Sequence, residues 1–355
     1  MKQDGKPAIV GVRAVDVGYF NVKYTRGRKR VGDSSRIEVG LFPALAPQLA
    51  RGHAAATGLP APDTCTVSVG GVRYAVGAGA VYHTGPSEPR PIDPDYCATD
   101  KYHALTLGAL HHMTLDTPRE QASEVELLVL GLPLNNYARH AAGLAERMRG
   151  EHLVGVAGDA RSRRVLVRKV HVMVQPHGAL CHFGAMRADL EGWTLVVDAG
   201  GGTLDWFLAQ GQQPNWKRSG AYPKAMLHCA YAVADCIDPA WRHQYEVVEA
   251  IDRALRGGAT RFRVGAREIP LAAYRPAVDA VLQESVKAML DATGPLDAVR
   301  RILLTGGGAG VYREYLARTM PMLAGALELD EDPVFSNVRG FQVCGEVLQQ
   351  ARRTA

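Results

Sequence analysis

The apolar residues of this chain fall in short runs, and several of those runs stop at an aspartate or a glycine turn. "AIVGVRAVDVG", Ala8 to Gly18, reads as a strand ending in Asp16-Val17-Gly18. A second strand, "NVKYT", follows, then a basic turn, "RGRKR", and a third strand, "SSRIEVG". The start therefore reads as an antiparallel meander. "TCTVSVGGVRYAVGAGA" is a hairpin turning at Gly70-Gly71. "DKYHALTLGALHHM" is a helix with Asp100 as its N-cap, and "EVELLVLGLP" is a buried strand stopping at Gly131 and Pro133. "NYARHAAGLAERMRG" is a helix with a glycine at its end, and "RVLVRKVHVMVQPHGAL" gives one or two strands followed by a proline turn.

The pattern then restarts. "WTLVVDAGGGTLDWFLAQG" is again strand, aspartate, glycine turn, strand. "YPKAMLHCAYAVADCI" and "YEVVEAIDRAL" read as helices, and "ATRFRVGAREIPL" as a short hairpin. In "YRPAVDAVLQESVKAML" the apolar positions Val278, Val281, Leu282, Val286, Met289 and Leu290 share one helix face. "VRRILLTGGGAG" runs from a strand into a third glycine turn, and "VYREYLARTMPML" and "GFQVCGEVLQQARRT" are helices. Strands and helices mix throughout, so the class is α/β. The strand–Asp–turn–strand device at Asp16 and again at Asp198 is an internal repetition on the scale of a domain. Two stretches, "LFPALAPQLARGHAAATGLPAP" and "PSEPRPIDPDY", read as loops.

A chain of 355 residues is too long for one ordinary core, which favours two domains. Its 47% hydrophobic and 22% charged residues are those of a soluble globular protein. A formal net charge of +5 permits a polyanionic partner without requiring one. No apolar run is long enough to span a bilayer, and "MKQDGKPAIVG" lacks the apolar stretch of a secretory signal, so a cytoplasmic location is expected. The six cysteines are scattered without a CxxC pair and read as reduced thiols.

The glycine turns carry the chemistry. Glycine lets backbone N–H groups approach a ligand, and successive N–H groups in a tight turn form a nest for anions, phosphate above all. An aspartate at the end of the preceding strand would face that phosphate and repel it unless a cation lies between. Mg²⁺ suits the position because it keeps most of its waters and binds through one or two carboxylates. The plainer reading of "DAGGG" by itself is a tight hairpin with one exposed aspartate. A P-loop is excluded by the lack of GxxxxGK[ST], and neither later glycine turn completes GxGxxG.

Three such turns at strand ends, Asp16-Val17-Gly18-Tyr19-Phe20-Asn21-Val22-Lys23, Asp198-Ala199-Gly200-Gly201-Gly202-Thr203 and Leu304-Thr305-Gly306-Gly307-Gly308-Ala309, resemble in order and spacing the phosphate-1, phosphate-2 and adenosine motifs of the actin superfamily of ATPases. "DVGYFNVKY", "LFPALA", "YAVGAGA", "LVLGLPLNNY", "VMVQPHGAL" and "SNVRGFQVCG" are similar to segments of its ParM/StbA-like plasmid segregation branch, including the PRTRC system protein D type. Ala44 stands where that branch has a serine.

The resemblance implies an actin-like (ribonuclease H-like) two-domain fold with the nucleotide in the interdomain cleft. Domain I would span 1–190 with a small subdomain at about 36–98, domain II 191–335 with one at about 215–275, and the C-terminal helix 336–355 would return to domain I. It implies ATP or GTP with Mg²⁺ as cofactors and Asp16 and Asp198 as metal-binding residues. Gly18, Tyr19, Asn21 and Lys23 would form the first phosphate loop, although a lysine in a strand more often faces solvent. Gly200, Gly201, Gly202 and Thr203 would take the β- and γ-phosphates, and Gly306, Gly307 and Gly308 would pack on the adenosine. Gln175 would orient the attacking water; an amide is a poor base, so hydrolysis should be slow. Asp205 could be a cap on its hairpin or a ligand. Ribose and outer adenine contacts are expected around Lys224 to His228.

The implied activity is a filament-forming ATPase, in plasmid or mobile-element segregation, whose partners are copies of itself and a DNA-binding adaptor protein. Direct DNA contact and membrane association are not expected. Two alternatives share the fold: a small-molecule kinase of the sugar-kinase type, and a nucleotide-gated binding module that does not polymerise. His111-His112, and Cys181-His182 beside His177, read as structural residues. The basic runs 26–30 and 161–169 read as solvated turns, and Trp193, Trp206, Trp216 and Trp241 as core or interface.

Overall fold

A computed structural model describes residues 7–32, 34–49, 63–85, 93, 95–117, 122–155, 162–187 and 189–354. The first half begins with β1 (Ala8–Val17), β2 (Asn21–Val31) and β3 (Ser34–Pro43), then the hairpin β4 (Thr64–Val69) and β5 (Val72–Gly77) and helix α1 (Asp100–Met113). It continues with β6 (Ser123–Leu132), α2 (Leu134–Met148), β7 (Gly150–Val154), β8 (Arg163–Val167), β9 (Val170–Val174) and α3 (Gln175–Met186). The second half opens with β10 (Trp193–Ala199), β11 (Leu204–Gln210), β12 (Gln213–Pro214) and β13 (Gly220–Tyr222). There follow α4 (Met226–Ile237), α5 (Tyr245–Arg256), the hairpin β14 (Arg261–Val264) and β15 (Arg267–Pro270), and α6 (Arg275–Thr293). β16 (Val299–Thr305), α7 (Ala309–Thr319), β17 (Leu327–Leu329) and α8 (Ser336–Thr354) close the chain.

Each half is built on its own sheet. The first has the order β3-β2-β1-β6-β8-β7, with β9 also on β6; the second has β12-β11-β10-β16-β17, with β13 on β11. The same device starts both. β1 forms an antiparallel hairpin with β2 and pairs in parallel with β6, as β10 does with β11 and β16. The central strands β6, β10 and β16 are near-continuous apolar runs because helices cover both sheet faces.

Several local readings need correction. The basic stretch 26–30 is not a turn: it belongs to β2, which Gly27 (φ 93) lets continue through a bulge and which pairs with β3 out to Val31 and Ser34. Pro176 does not make a turn but sits in the first turn of α3, where its missing N–H leaves no helical bond unmade. Helix α1 is capped by Thr99, whose hydroxyl accepts the Tyr102 N–H at 3.2 Å, and Asp100 is already in the helix. α2 ends at Met148 with Arg149 extended as its cap, and Gly150 (φ 118) opens strand β7, which alternation alone did not signal. Of the two expected loops, residues 50–62 and 86–92, together with 94, lie outside the described residues, as does Arg161 of the second basic run. Residues 41–43 belong to β3.

α8 carries the late "SNVRGFQVCG" segment and lies across α3 and the first sheet. A Cβ on Gly340 would come 1.6 Å from the Gly178 carbonyl oxygen, so the two helices touch backbone to backbone. Phe341 fills the space beside Gly131 and Gly178, and Gln342 donates to Val12 O and accepts from Thr25 Oγ1. His112 is buried between the rings of Tyr24 and Phe42. Trp206 and Trp241 are buried and Trp216 is exposed. Among the described residues, no helix is long and apolar enough to cross a membrane.

Candidate functional site

The register of the two hairpins decides what faces the space between the sheets. In the first, Asp16 stands opposite Lys23; in the second, Asp198 stands opposite Asp205. Each turn is closed by one backbone bond, Gly18 N–H to Asn21 O at 3.1 Å and Gly200 N–H to Thr203 O at 3.0 Å. The third turn follows β16, whose last residue, Thr305, pairs with Asp198. There Gly306 has φ 83, and a Cβ on it would lie 2.4 Å from Asp198 Oδ1 and 2.6 Å from Ala199 O. Only glycine supplies both that backbone conformation and that close approach.

The three turns line one cleft. Asp16, Gly18, Tyr19, Asn21 and Lys23 line it from the first hairpin, Gln175 from the start of α3, Asp198, Gly200 and Gly201 from the second hairpin, and Gly306, Gly307 and Gly308 from the third turn. Gly202 and Thr203 do not line it. A Cβ on Gly202 would meet the Tyr19 ring at 2.3 Å and one on Gly201 the Phe20 ring at 2.5 Å, so the aromatic pair of one loop lies against the glycines of the other. Tyr19 is fixed there by stacking on Tyr96, with ring centres 5.0 Å apart, and by donating its hydroxyl to Asp93 O at 2.8 Å.

Three buried carboxyl groups converge behind the turns. Asp16 accepts from Lys23 Nζ at 3.0 Å and from Gln175 Nε2 at 2.7 Å. Lys23 therefore points into the cleft and not to solvent. Asp198 accepts from Asn337 Nδ2 at 2.7 Å. Burial first, and then the facing Asp16, push its carboxyl up to about 6. Asp205 accepts the Leu134 N–H at 2.9 Å, at the first turn of α2, and also bonds the Thr203 side chain. Burial, and then Asp198, push it up to about 7. Asp205 is thus a tie between the second hairpin and a helix of the first half.

Some of the cleft was not found by sequence reasoning. Lys224 is drawn away by Glu284, with both carboxylate oxygens within 2.9 Å, and of the stretch Lys224 to His228 only Met226 lines the cleft. The wall on that side comes from α5 instead, where Asp252, fully buried, accepts from Arg256 Nε at 2.6 Å. The i,i+4 spacing of this pair on a strongly amphipathic helix was the one available signal. Val334 enters from the turn before α8 and Asn337 from its first turn, with no local pattern to mark them.

Residues 14–178 match the sequence profile described as "Actin like proteins N terminal domain". No curated protein matches the chain. Among solved structures, the apo ParM protein of pSK41 superposes with a TM-score of 0.67 at 18% identity, covering 97% of this chain and 99% of that one. The archaeal actin homolog Ta0583 in complex with ADP gives 0.69 at 16%, covering 95% and 99%. A subunit of the 15-stranded ParM filament from Clostridium botulinum gives 0.70 at 15%, again covering 95% and 99%. The profile spans the first hairpin through Gln175, so residues 14–178 match an actin-like N-terminal domain, and the fold shared with these solved structures spans both sheets and the cleft between them.

Proposed function

We propose that the cleft binds a purine nucleoside triphosphate with Mg²⁺, that the protein hydrolyses it slowly, and that the bound state drives head-to-tail assembly into filaments. One observation carries the reading: two aspartates at the ends of equivalent strands, Asp16 and Asp198, are buried against one gap that three glycine turns also line. Burial, and then the opposing Asp16, make Asp198 hard to ionise. A hard divalent cation with oxygen ligands fits such a donor set. Asp16 and Asp198 would hold the hydrated ion, which when bound neutralises phosphate charge.

The remaining residues divide the ligand between them. Lys23 and the backbone of Gly18 to Asn21 would meet phosphate oxygens from the first half, and Gly200 and Gly201 from the second. Gly306 to Gly308 and the Asp252–Arg256 pair would border the nucleoside. Gln175 is anchored through its Nε2 to Asp16, which leaves its carbonyl oxygen to orient a water, and an amide there makes a slow catalyst. Nucleotide shared by both halves favours the closed arrangement, and a head-to-tail contact that fits one closure angle propagates without closing on itself. The ADP complex of Ta0583 and the filament of the Clostridium botulinum ParM support this by analogy of fold. Plasmid or mobile-element segregation through a DNA-binding adaptor is the role we assign to such a filament. Calorimetry with ATP and GTP in Mg²⁺, phosphate release and light scattering test it together: uptake with no scattering rise would remove the filament, and no uptake would remove the site.

A further inference from the structure

The "SNVRGFQVCG" segment places one polar side chain where the two halves meet. Asn337 is the second residue of α8 and is 5% exposed. Its Nδ2 donates to Asp198 Oδ2 at 2.7 Å. The helix it stands on is fixed to the other half: Gln342 binds Val12 O and Thr25 Oγ1 of the first sheet, and Gly340 rests on the Gly178 carbonyl of α3. Ser336 Oγ bonds Asp330 Oδ2 at 2.6 Å and Arg339 pairs with Asp332 at 2.9 Å, which fixes the turn that leads into α8. The bond from Asn337 therefore spans from a helix of the first half to the metal-side acid of the second.

The chemistry of the pair sets the amide's orientation. An ionised carboxylate only accepts, so the NH₂ group must face Asp198 and the carbonyl oxygen must face the other way. Asn337 Oδ1 is buried without a hydrogen-bond partner among the described residues, and Asn337 lines the cleft. A buried polar atom without a partner is costly unless a ligand supplies one.

We propose that Asn337 is a positioning residue: it holds the Asp198 carboxylate toward the cleft and offers its carbonyl oxygen to a water of the bound cation. The proposal rests on the reading of the cleft as a Mg²⁺-nucleotide site. Asn337→Ala removes both interactions. Asn337→Leu keeps the bulk but, like alanine, carries neither the donor nor the acceptor. Both should melt within a few degrees of the parent in EDTA, since α8 is held by Gln342, Phe341 and the Gly340 contact.

The readouts are ADP and ATP affinity by calorimetry with Mg²⁺ and with EDTA, and the melting temperature in MgCl₂ alone. In the parent, Mg²⁺ should strengthen nucleotide binding and raise the melting temperature. In both variants the Mg²⁺-dependent gain in affinity should fall about tenfold and the MgCl₂ shift should shrink, with affinity in EDTA unchanged. Equal loss with and without Mg²⁺ would make Asn337 a purely structural contact, and an unchanged Mg²⁺ gain would remove the role altogether. A parent that responds to MgCl₂ but takes up no nucleotide would overturn the nucleotide reading, and the MgCl₂ shift would still decide on Asn337. A parent indifferent to both would overturn both.

Discussion

Asp205 occupies the position in the second hairpin that Lys23 holds in the first, and Asp205→Asn measures what a third buried acid costs. Its Oδ1 accepts the Leu134 N–H, a bond that an asparagine oxygen retains. Burial and Asp198 lift its carboxyl from 3.8 to about 7. The native state therefore holds this proton more tightly than the unfolded chain does. A group raised in this way makes its full contribution below the ordinary carboxylate range and loses it as the pH climbs through about 7. At about 1.4 kcal/mol per tenfold change in proton affinity, the native state is penalised by about 1 kcal/mol near pH 4.5 and on the order of 4 kcal/mol near pH 8. Asparagine does not ionise and carries no such penalty. With EDTA present and no nucleotide, urea unfolding followed by circular dichroism should show the variant gaining on the parent by about 3 kcal/mol between those two pH values. A variant destabilised equally at both would refute the reasoning, because it would mean that the α2 N-terminus holds Asp205 as an anion.

Four further substitutions probe the turns, the helix crossing and an open helix position. Gly306→Ala adds a Cβ 2.4 Å from Asp198 Oδ1 at φ 83, so urea unfolding should show a loss of at least about 2 kcal/mol. Lys23→Met keeps the aliphatic stem and removes the charge paired with Asp16. The melting temperature should fall, because buried Asp16 loses its cation, and calorimetric affinity for Mg·ATP should fall about tenfold, roughly 1.4 kcal/mol; unchanged affinity would place the phosphates elsewhere. Gly340→Ala should cost about 3 kcal/mol or more, because the atom it would strike is helix backbone. Gly143→Ala in α2, where a Cβ meets none of the described residues within 4 Å, should instead stabilise by up to about 1 kcal/mol, and thermal melting of the pair checks the contrast.

What the sequence made legible is what local pattern encodes. Asp16 and Asp198 stand at the ends of apolar runs that turn on glycine, and both line the cleft. Gly306 follows a strand in the same way. Gln175 came from resemblance, since nothing in "VQPHG" itself marks a first helical turn except a proline whose meaning depends on the helix that follows. Lys23 was ambiguous because alternation gives the face of a strand and not what covers that face; here the facing Asp16 draws the ammonium inward. Arg256, Asp252 and Asn337 were missed for a different reason. Their neighbours in the cleft are far away in sequence, and only the packing of α5 and α8 against distant strands brings them there. The basic stretch in β2 was misread because exposed arginines on an extended strand pattern like a turn when the bulge at Gly27 breaks the alternation.

The two hairpins share a register but not a charge, and that difference constrains how the site works. If both paired positions were lysines, the aspartates would be neutralised by the protein and a cation would have little to gain there. If both were acids, four buried carboxyl groups would crowd the gap with no fixed positive charge to hold them. One lysine against three acids leaves the first half balanced and the second half short of positive charge, with Asp198 and Asp205 both hard to ionise. The deficit lies on the side where Asn337, from the first half, reaches across to Asp198 and where Asp205 reaches back to Leu134. A cation entering the gap would therefore strengthen the acids on which both cross-links depend. A bound cation would then couple ligand charge to the relation of the two halves through the same two carboxylates.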